Sequence, residues 1–345
     1  MSSKSKMHVT VLAPLFALLV APPCAAQGTS VGDFYNGKSV SLIISTGAGG
    51  GLDANARLVA RHMGKHIPGK PAIVARNMPG AGHIQATNYM FNQAPRDGSY
   101  MAAILPSFIL YQLIDGRGAQ YDAKAFNWIG SSDVDNMNIY VWRTTPVKTI
   151  EDVKKTEVLM GGTGAGSYTN LFPTLLNNLV GTKFKMVAGY KSTNEIHLAM
   201  ERGEVQGRAG NFFSSLRSSN AEWLRDGKIV LLAQIGEERD PGFPQTPLLQ
   251  DLTPDEESKN ILRLFSAEIA MGRAFLTTPG VPADRLAALR DAFRATMSDP
   301  DYLAEAKNAN MDVRPLDAAA LSRIASTILA TPKPVLAKAA AAKAN

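Results

Sequence analysis

The sequence predicts a two-lobed α/β protein, each lobe a mostly parallel sheet with flanking helices, with two crossover strands as the hinge. Three observations lead there. Short β-rich runs alternate with helical segments through most of the chain, which implies parallel sheets covered by helices. The alternation runs through twice, and each pass carries its own glycine-rich loop between a strand and a helix. Two apolar runs, 139–142 and 228–234, bracket the second pass and read as the outward and returning crossings.

The first residues stand apart from this pattern. Lys4 and Lys6 form a short basic region, an apolar run follows from Val9 to Val20, and Cys24-Ala25-Ala26 places small residues before Gln27. That is the pattern of a cleavable secretion signal, with cleavage expected after Ala26. The run is interrupted by Pro14 and falls short of the roughly 20 residues of a spanning helix. Lipid attachment at Cys24 is the competing reading, but Ala21-Pro22-Pro23 is a poor context for it. Loss of the segment removes the single cysteine, so the mature chain is expected to have neither disulfide nor thiolate chemistry. It also lowers the formal net charge from +6 to +4, because two lysines and no acid leave. The basic residues are scattered, which argues against nucleic acid and is compatible with an anionic ligand.

The mature chain divides, on this reading, into lobe 1 from 27–139 and 236–345 and lobe 2 from 140–235. In lobe 1, residues 39–45 form a buried-strand run, 46–52 a glycine loop, and 53–67 a helix with Leu58, Val59, His62, Met63 and Ile67 near one face. A strand at 72–75, a loop at 77–82, a helix at 84–92 and a strand at 100–105 follow. In lobe 2, a short helix at 149–155 precedes a strand at 158–160, a glycine loop at 161–167 and a helix at 168–180. A strand at 185–188, a helix at 193–202 and a strand at 205–208 complete the pass. Leu286, Leu289, Phe293 and Met297 recur at helical spacing after Pro282. The Ala-Lys segment from Leu336 reads as a surface helix or frayed tail.

The glycine loops are where chemistry is expected. Thr46-Gly47-Ala48-Gly49-Gly50-Gly51-Leu52-Asp53 lets backbone approach a ligand and ends at a helix N-terminus, whose free N–H groups and dipole suit an anion. It matches neither the dinucleotide nor the Walker pattern. Asp53 either caps the helix or meets the ligand. Gly161 to Tyr168 repeats the device in lobe 2, with Thr163 and Ser167 among the glycines. Strand ends in such sheets are where ligands sit. Ser107 is placed for a hydroxyl contact. Arg208 and Asn211, after a predicted strand, are placed to reach the gap, where an arginine favours a carboxylate, against the alternative of a surface ion pair. Tyr190, Phe108 and Phe212 are candidates for an apolar wall or for core.

Catalysis is not expected. His62 and His66 lack the Glu of a His-Glu-x-x-His site, His83 and His197 read as surface or half-buried, and no Gly-x-Ser-x-Gly elbow exists. Neither a metal nor a cofactor is called for. A secreted α/β hydrolase-like enzyme and a ligand sensor feeding a receptor kinase are the competing functional classes.

Several motifs in order resemble one known family. Gly49-Gly50-Gly51-Leu52-Asp53 with Ala56-Arg57, then Asn77-Met78-Pro79-Gly80-Ala81-Gly82, Asp97-Gly98-Ser99-Tyr100, Gly162-Thr163-Gly164-Ala165-Gly166-Ser167, Gly189-Tyr190-Lys191 and Thr278-Pro279-Gly280-Val281-Pro282 are similar to the Bug, or tripartite tricarboxylate transporter, receptors. The resemblance implies a periplasmic-binding-protein-like fold of the Venus flytrap kind. It implies a monomeric periplasmic protein that traps a small carboxylate, such as a di- or tricarboxylate or an aromatic acid, and delivers it to transporter subunits in the membrane. Carried onto this chain, it places Thr46, Gly47, Ala48 and Asp53 on one ligand loop and Thr163, Gly164, Ala165, Gly166 and Ser167 on the opposing one, with Gly80 and Ala81 beside them. Ser45-Thr46-Gly47-Ala48 stands where the family usually has prolines and an aromatic residue.

Overall fold

The computed structural model describes residues 1–2, 5–8, 30–164 and 166–344. The cleavage site after Ala26, Cys24 and Ala165 lie outside the described residues.

Among the described residues, eleven strands form two sheets. The first contains β1 (Ser39–Ile44), β2 (Ala72–Asn77), β3 (Tyr100–Ala103), β4 (Asn127–Ser131), β10 (Ala274–Thr277) and β11 (Leu316–Asp317), in the order β11-β4-β10-β3-β1-β2. The second contains β5 (Met137–Trp142), β6 (Val158–Gly162), β7 (Phe184–Ala188), β8 (Gly207–Phe212) and β9 (Ile229–Ile235), in the order β7-β6-β8-β5-β9. Both sheets are mixed. β1, β2 and β3 run parallel, and so do β6, β7 and β8. β10 lies antiparallel to both β3 and β4, and β5 antiparallel to both β8 and β9. β10 and β5 are each the first strand their sheet receives after the chain crosses between sheets, so each runs away from the crossing, and the two-residue β11, antiparallel to β4, runs the same way as β10. Strands built by strand-helix-strand units run toward it. The two runs that bracket the second pass pair with each other, Met137 opposite Ile235 and Trp142 opposite Ile229.

The buried run Val40–Ile44 has no polar alternation beyond Ser41, as expected of a strand covered on both faces. The helix Gly51–Met63 buries Leu52, Ala56, Leu58, Val59 and Met63 and then tightens into a 3-10 turn, Gly64–His66, before Pro68-Gly69. Helices Ile84–Asn92 and Tyr168–Val180 match the sequence expectation at both ends.

Two expectations need correction, and a third resolves to one of its two alternatives. β8 runs from Gly207 to Phe212 instead of 205–208, so Arg208 lies inside the strand instead of at its end and Asn211 lies within it instead of beyond it. Gly, Asn and Arg have weak strand preference, and a central position between β6 and β5 overrides it. His83 and His197 are buried, not surface or half-buried. Of the two readings of the C-terminal segment, the surface helix is the one that forms, Lys333–Lys343, and it is docked: Ala339 and Ala342 are buried, and Asn178 Nδ2 donates to the carbonyls of Ala342 and Ala344. Small alanines permit the close approach, and Lys343 pairs with Asp115 at 2.7 Å rather than with solvent.

The crossing between β4 and β5 carries a buried ionic cluster. The Asp133 carboxylate accepts from Arg273 at 2.5 Å, from Ser214 Oγ at 2.9 Å and from Arg314 Nε at 3.2 Å. Arg273 also donates to Ser215 Oγ, so groups belonging to both sheets converge there.

Candidate functional site

The first loop is braced from below. Asp53, 4% exposed, accepts from the backbone N–H of Gly49 at 2.9 Å, from Arg57 Nε at 2.9 Å and from Asn77 Nδ2 at 2.8 Å. Asn77 Nδ2 also donates to the Thr46 carbonyl at 2.8 Å. Asp53 therefore ties the loop after β1 to the loop after β2. Its oxygens are occupied within the lobe, and it does not line the cavity described below.

The loop after β2 has an unusual backbone. Four successive residues have positive φ: Gly80 at 148°, Ala81 at 46°, Gly82 at 59° and His83 at 82°. Glycine adopts such angles freely, whereas alanine and histidine are strained by about 1–2 kcal/mol each. A methyl group on Gly82 would overlap the backbone of Gly166 and Ser167, so this turn lies directly against the glycine loop of the other sheet.

That second loop is internally bonded. Ser167 Oγ donates to the Gly164 carbonyl at 2.7 Å and contacts Thr169 Oγ1 at 2.6 Å, while Gly164 N–H donates to Asn170 Oδ1 at 3.1 Å. Thr163 N–H donates to Thr169 Oγ1 at 2.9 Å.

Between the loops lies a cavity of about 290 Å³. From the first sheet it is lined by Ser45, Thr46, Pro79, Gly80, Ala81, Gly82 and His83, and from the second by Thr163, Gly189, Tyr190 and Lys191. Among the sequence candidates, Thr46, Gly80, Ala81, Thr163 and Tyr190 are thus brought to one space. Gly47, Ala48, Gly164, Gly166 and Ser167 adjoin it in sequence without lining it, and Ser107 is buried at the start of helix Phe108–Ile114. Arg208 and Asn211 are also away from the lining. Arg208 is buried, donating to the carbonyls of Ala209 and Gly210 and lying 3.3 Å from His197 Nε2, while Asn211 Nδ2 reaches Tyr140 OH at 3.5 Å. Phe108 and Phe212 belong to the core.

The lining contains one cationic residue, Lys191, and no acidic one. Thr46 Oγ1 is buried with no hydrogen-bond partner among the described residues. The lining residues that sequence reasoning missed are Ser45, Pro79, Gly82, His83, Gly189 and Lys191. Most flank residues that were singled out, and glycine runs at strand ends were their only local signal. No group of metal-ligating side chains occurs among the described residues.

The family profile described as tripartite tricarboxylate transporter family receptor matches residues 55–340. The chain belongs to that receptor family. As a member it is a solute-binding receptor, not an enzyme. A Cupriavidus necator protein known as the UPF0065 protein in gbd 5'region is 26% identical over 334 residues, covering 95% of this chain and 94% of that one. The periplasmic binding protein BugD superposes with a TM-score of 0.70 at 20% identity, covering 88% of this chain and 97% of its own. MatC from Rhodopseudomonas palustris, solved with bound malate, gives 0.67 at 17%, covering 87% and 99%. The R. palustris protein Rpa4515, solved with adipate, gives 0.67 at 19%, covering 88% and 98%. At these identities the receptor superpositions speak for a shared fold. No helix among the described residues is long and apolar enough to cross a membrane.

Proposed function

We propose that this receptor captures a small carboxylate in the cavity between its two sheets and delivers it, in the periplasm, to membrane subunits of a tripartite tricarboxylate-type transporter. The observation that carries the reading is the cavity itself: strand-end loops of both lobes line it, with hydroxyls, a lysine and no acid. Its volume of about 290 Å³ lies just below the range of about 300–1,000 Å³ typical of drug-sized ligands, which suits a metabolite. Adipate in one structural neighbour and malate in another are of that chemistry and size. Charge-assisted hydrogen bonds contribute about 1.5–3 kcal/mol each, so four or five donors reach the roughly 8 kcal/mol of micromolar binding after ordering costs.

On this reading the lobes are residues 27–139 with 236–345 and residues 140–235, moving as rigid bodies about the paired crossings. The ligand stabilises the closed arrangement because only there do both loops reach it. Secretion with cleavage after Ala26 and a monomeric state complete the proposal. Thr46, Gly80, Ala81, Thr163 and Tyr190 form its binding centre, and Gly47, Ala48, Asp53, Ser107, Gly164, Ala165, Gly166, Ser167, Arg208 and Asn211 its surrounding support.

The test is calorimetric titration of the mature chain against mono-, di- and tricarboxylates, followed by uptake in vesicles carrying the transporter subunits. A carboxylate bound without turnover, and taken up only when the receptor is added, is the expected result. Failure of every carboxylate to bind, or uptake indifferent to the receptor, overturns it.

A further inference from the structure

His83 is the residue of the cavity wall that the carboxylate reading leaves unexplained. It is 4% exposed, its backbone is held at φ 82° where histidine is strained, and it is one of the residues that line the cavity. Strained backbone of this kind gathers at ligand clamps because the surrounding structure must hold it against its own preference. The ring is oriented from one side only. Nδ1 lies 2.9 Å from Ser45 Oγ and 3.3 Å from the Ser45 carbonyl, and Nε2 makes no hydrogen bond among the described residues.

The charge state of the ring follows from its surroundings. Burial lowers the pKa of His83 to about 4, against a smaller opposing effect of the Ser45 bond, so the imidazole is neutral at physiological pH. A neutral imidazole has one donor and one acceptor nitrogen. The Ser45 carbonyl can only accept, so Nδ1 carries the proton and Nε2 keeps a lone pair. A carboxylate oxygen placed against that lone pair is repelled, whereas a hydroxyl donates to it. Lys191 in the same wall weighs against an ammonium group there.

We propose that His83, oriented by Ser45, is a specificity-determining residue that selects carboxylates bearing a hydroxyl group over their unsubstituted counterparts. This rests on the carboxylate reading above and goes further, naming the ligand class and the atom that reads it. Discrimination arises because a ligand that covers this wall without a hydroxyl leaves the Nε2 acceptor unpaired, the arrangement by which binding sites reject close analogues most strongly.

The test uses matched probes on the mature protein: malate, succinate and aspartate; lactate and propionate; mandelate and phenylacetate. The expected result is that, in the series that binds, the hydroxy acid binds at least tenfold more tightly than the unsubstituted acid. In His83→Gly that ratio falls to within about twofold. Glycine adopts this backbone freely, which offsets part of the cost of losing the buried ring; His83→Asn, which also tolerates the left-handed region, serves as a second variant, and thermal melts confirm that both are folded. Preference for the unsubstituted or the amino acid, or an undiminished ratio in the variants, overturns the role of His83 and leaves the carboxylate reading standing. Binding by none of the probes overturns both.

Discussion

The backbone N–H of Gly47 donates to the carbonyl of Lys191 at 3.0 Å, joining the loop after β1 in one sheet to the segment after β7 in the other. The contact is between main chains, so no side-chain change short of blocking it removes it. A Cβ on Gly47 would lie 3.0 Å from Lys191 O and 3.2 Å from Ser192 Cβ. Both sides of the cavity are therefore set by how closely two backbones approach.

Replacing Gly47 by valine should hold the two sheets apart. Gly47 is not among the positive-φ glycines, so each lobe should fold normally. We expect a larger radius of gyration in solution scattering and carboxylate affinity at least tenfold weaker, about 1.4 kcal/mol. Scattering and affinity equal to the parent's would show that this approach does not govern closure.

Thr163 and Ser167 should part company on substitution. Thr163 lines the cavity, so Thr163→Ala should weaken binding several-fold with little change in melting. Ser167 Oγ is engaged within its own loop, so Ser167→Ala should cost about 0.5–1.5 kcal/mol of stability, read by urea denaturation. Equal effects of the two on both measurements would contradict this division.

Asp133→Ala leaves Arg273 buried without its nearest carboxylate partner. Such orphaned charges cost about 3–5 kcal/mol. Replacing both, as Asp133→Leu with Arg273→Met, should recover part of that loss. A double variant as unstable as the sum of the singles would mean that the pair is not coupled.

Glu268 should make stability depend on pH in the direction opposite to a salt-bridged acid. It accepts from Leu110 N–H at 3.0 Å and from Tyr168 OH at 3.4 Å. Burial pushes its carboxyl up to about 8. Its contribution is complete below the unfolded value near 4.3. It is lost as pH rises toward 8, because the unfolded chain ionises first. Glu268→Gln should therefore gain stability relative to the parent between pH 5 and pH 8. Denaturant melts whose difference stays flat across that window would dismiss the account.

Sequence alone determined the two-pass α/β organisation, because strand and helix periodicity and glycine punctuation are local properties. Helix Tyr168–Val180 was placed to the residue at both ends. The glycine loops at two strand ends were legible for the same reason. What lines the cavity was not: the tertiary structure turned Asp53 inward as a brace, carried the strand holding Arg208 on through Asn211, and put His83 in the wall. Those outcomes depend on which distant groups meet, such as Ser45 with His83 or Lys191 with Gly47. Burial and hydrogen-bond partnership across the fold are decided by packing, and no run of neighbouring residues encodes them.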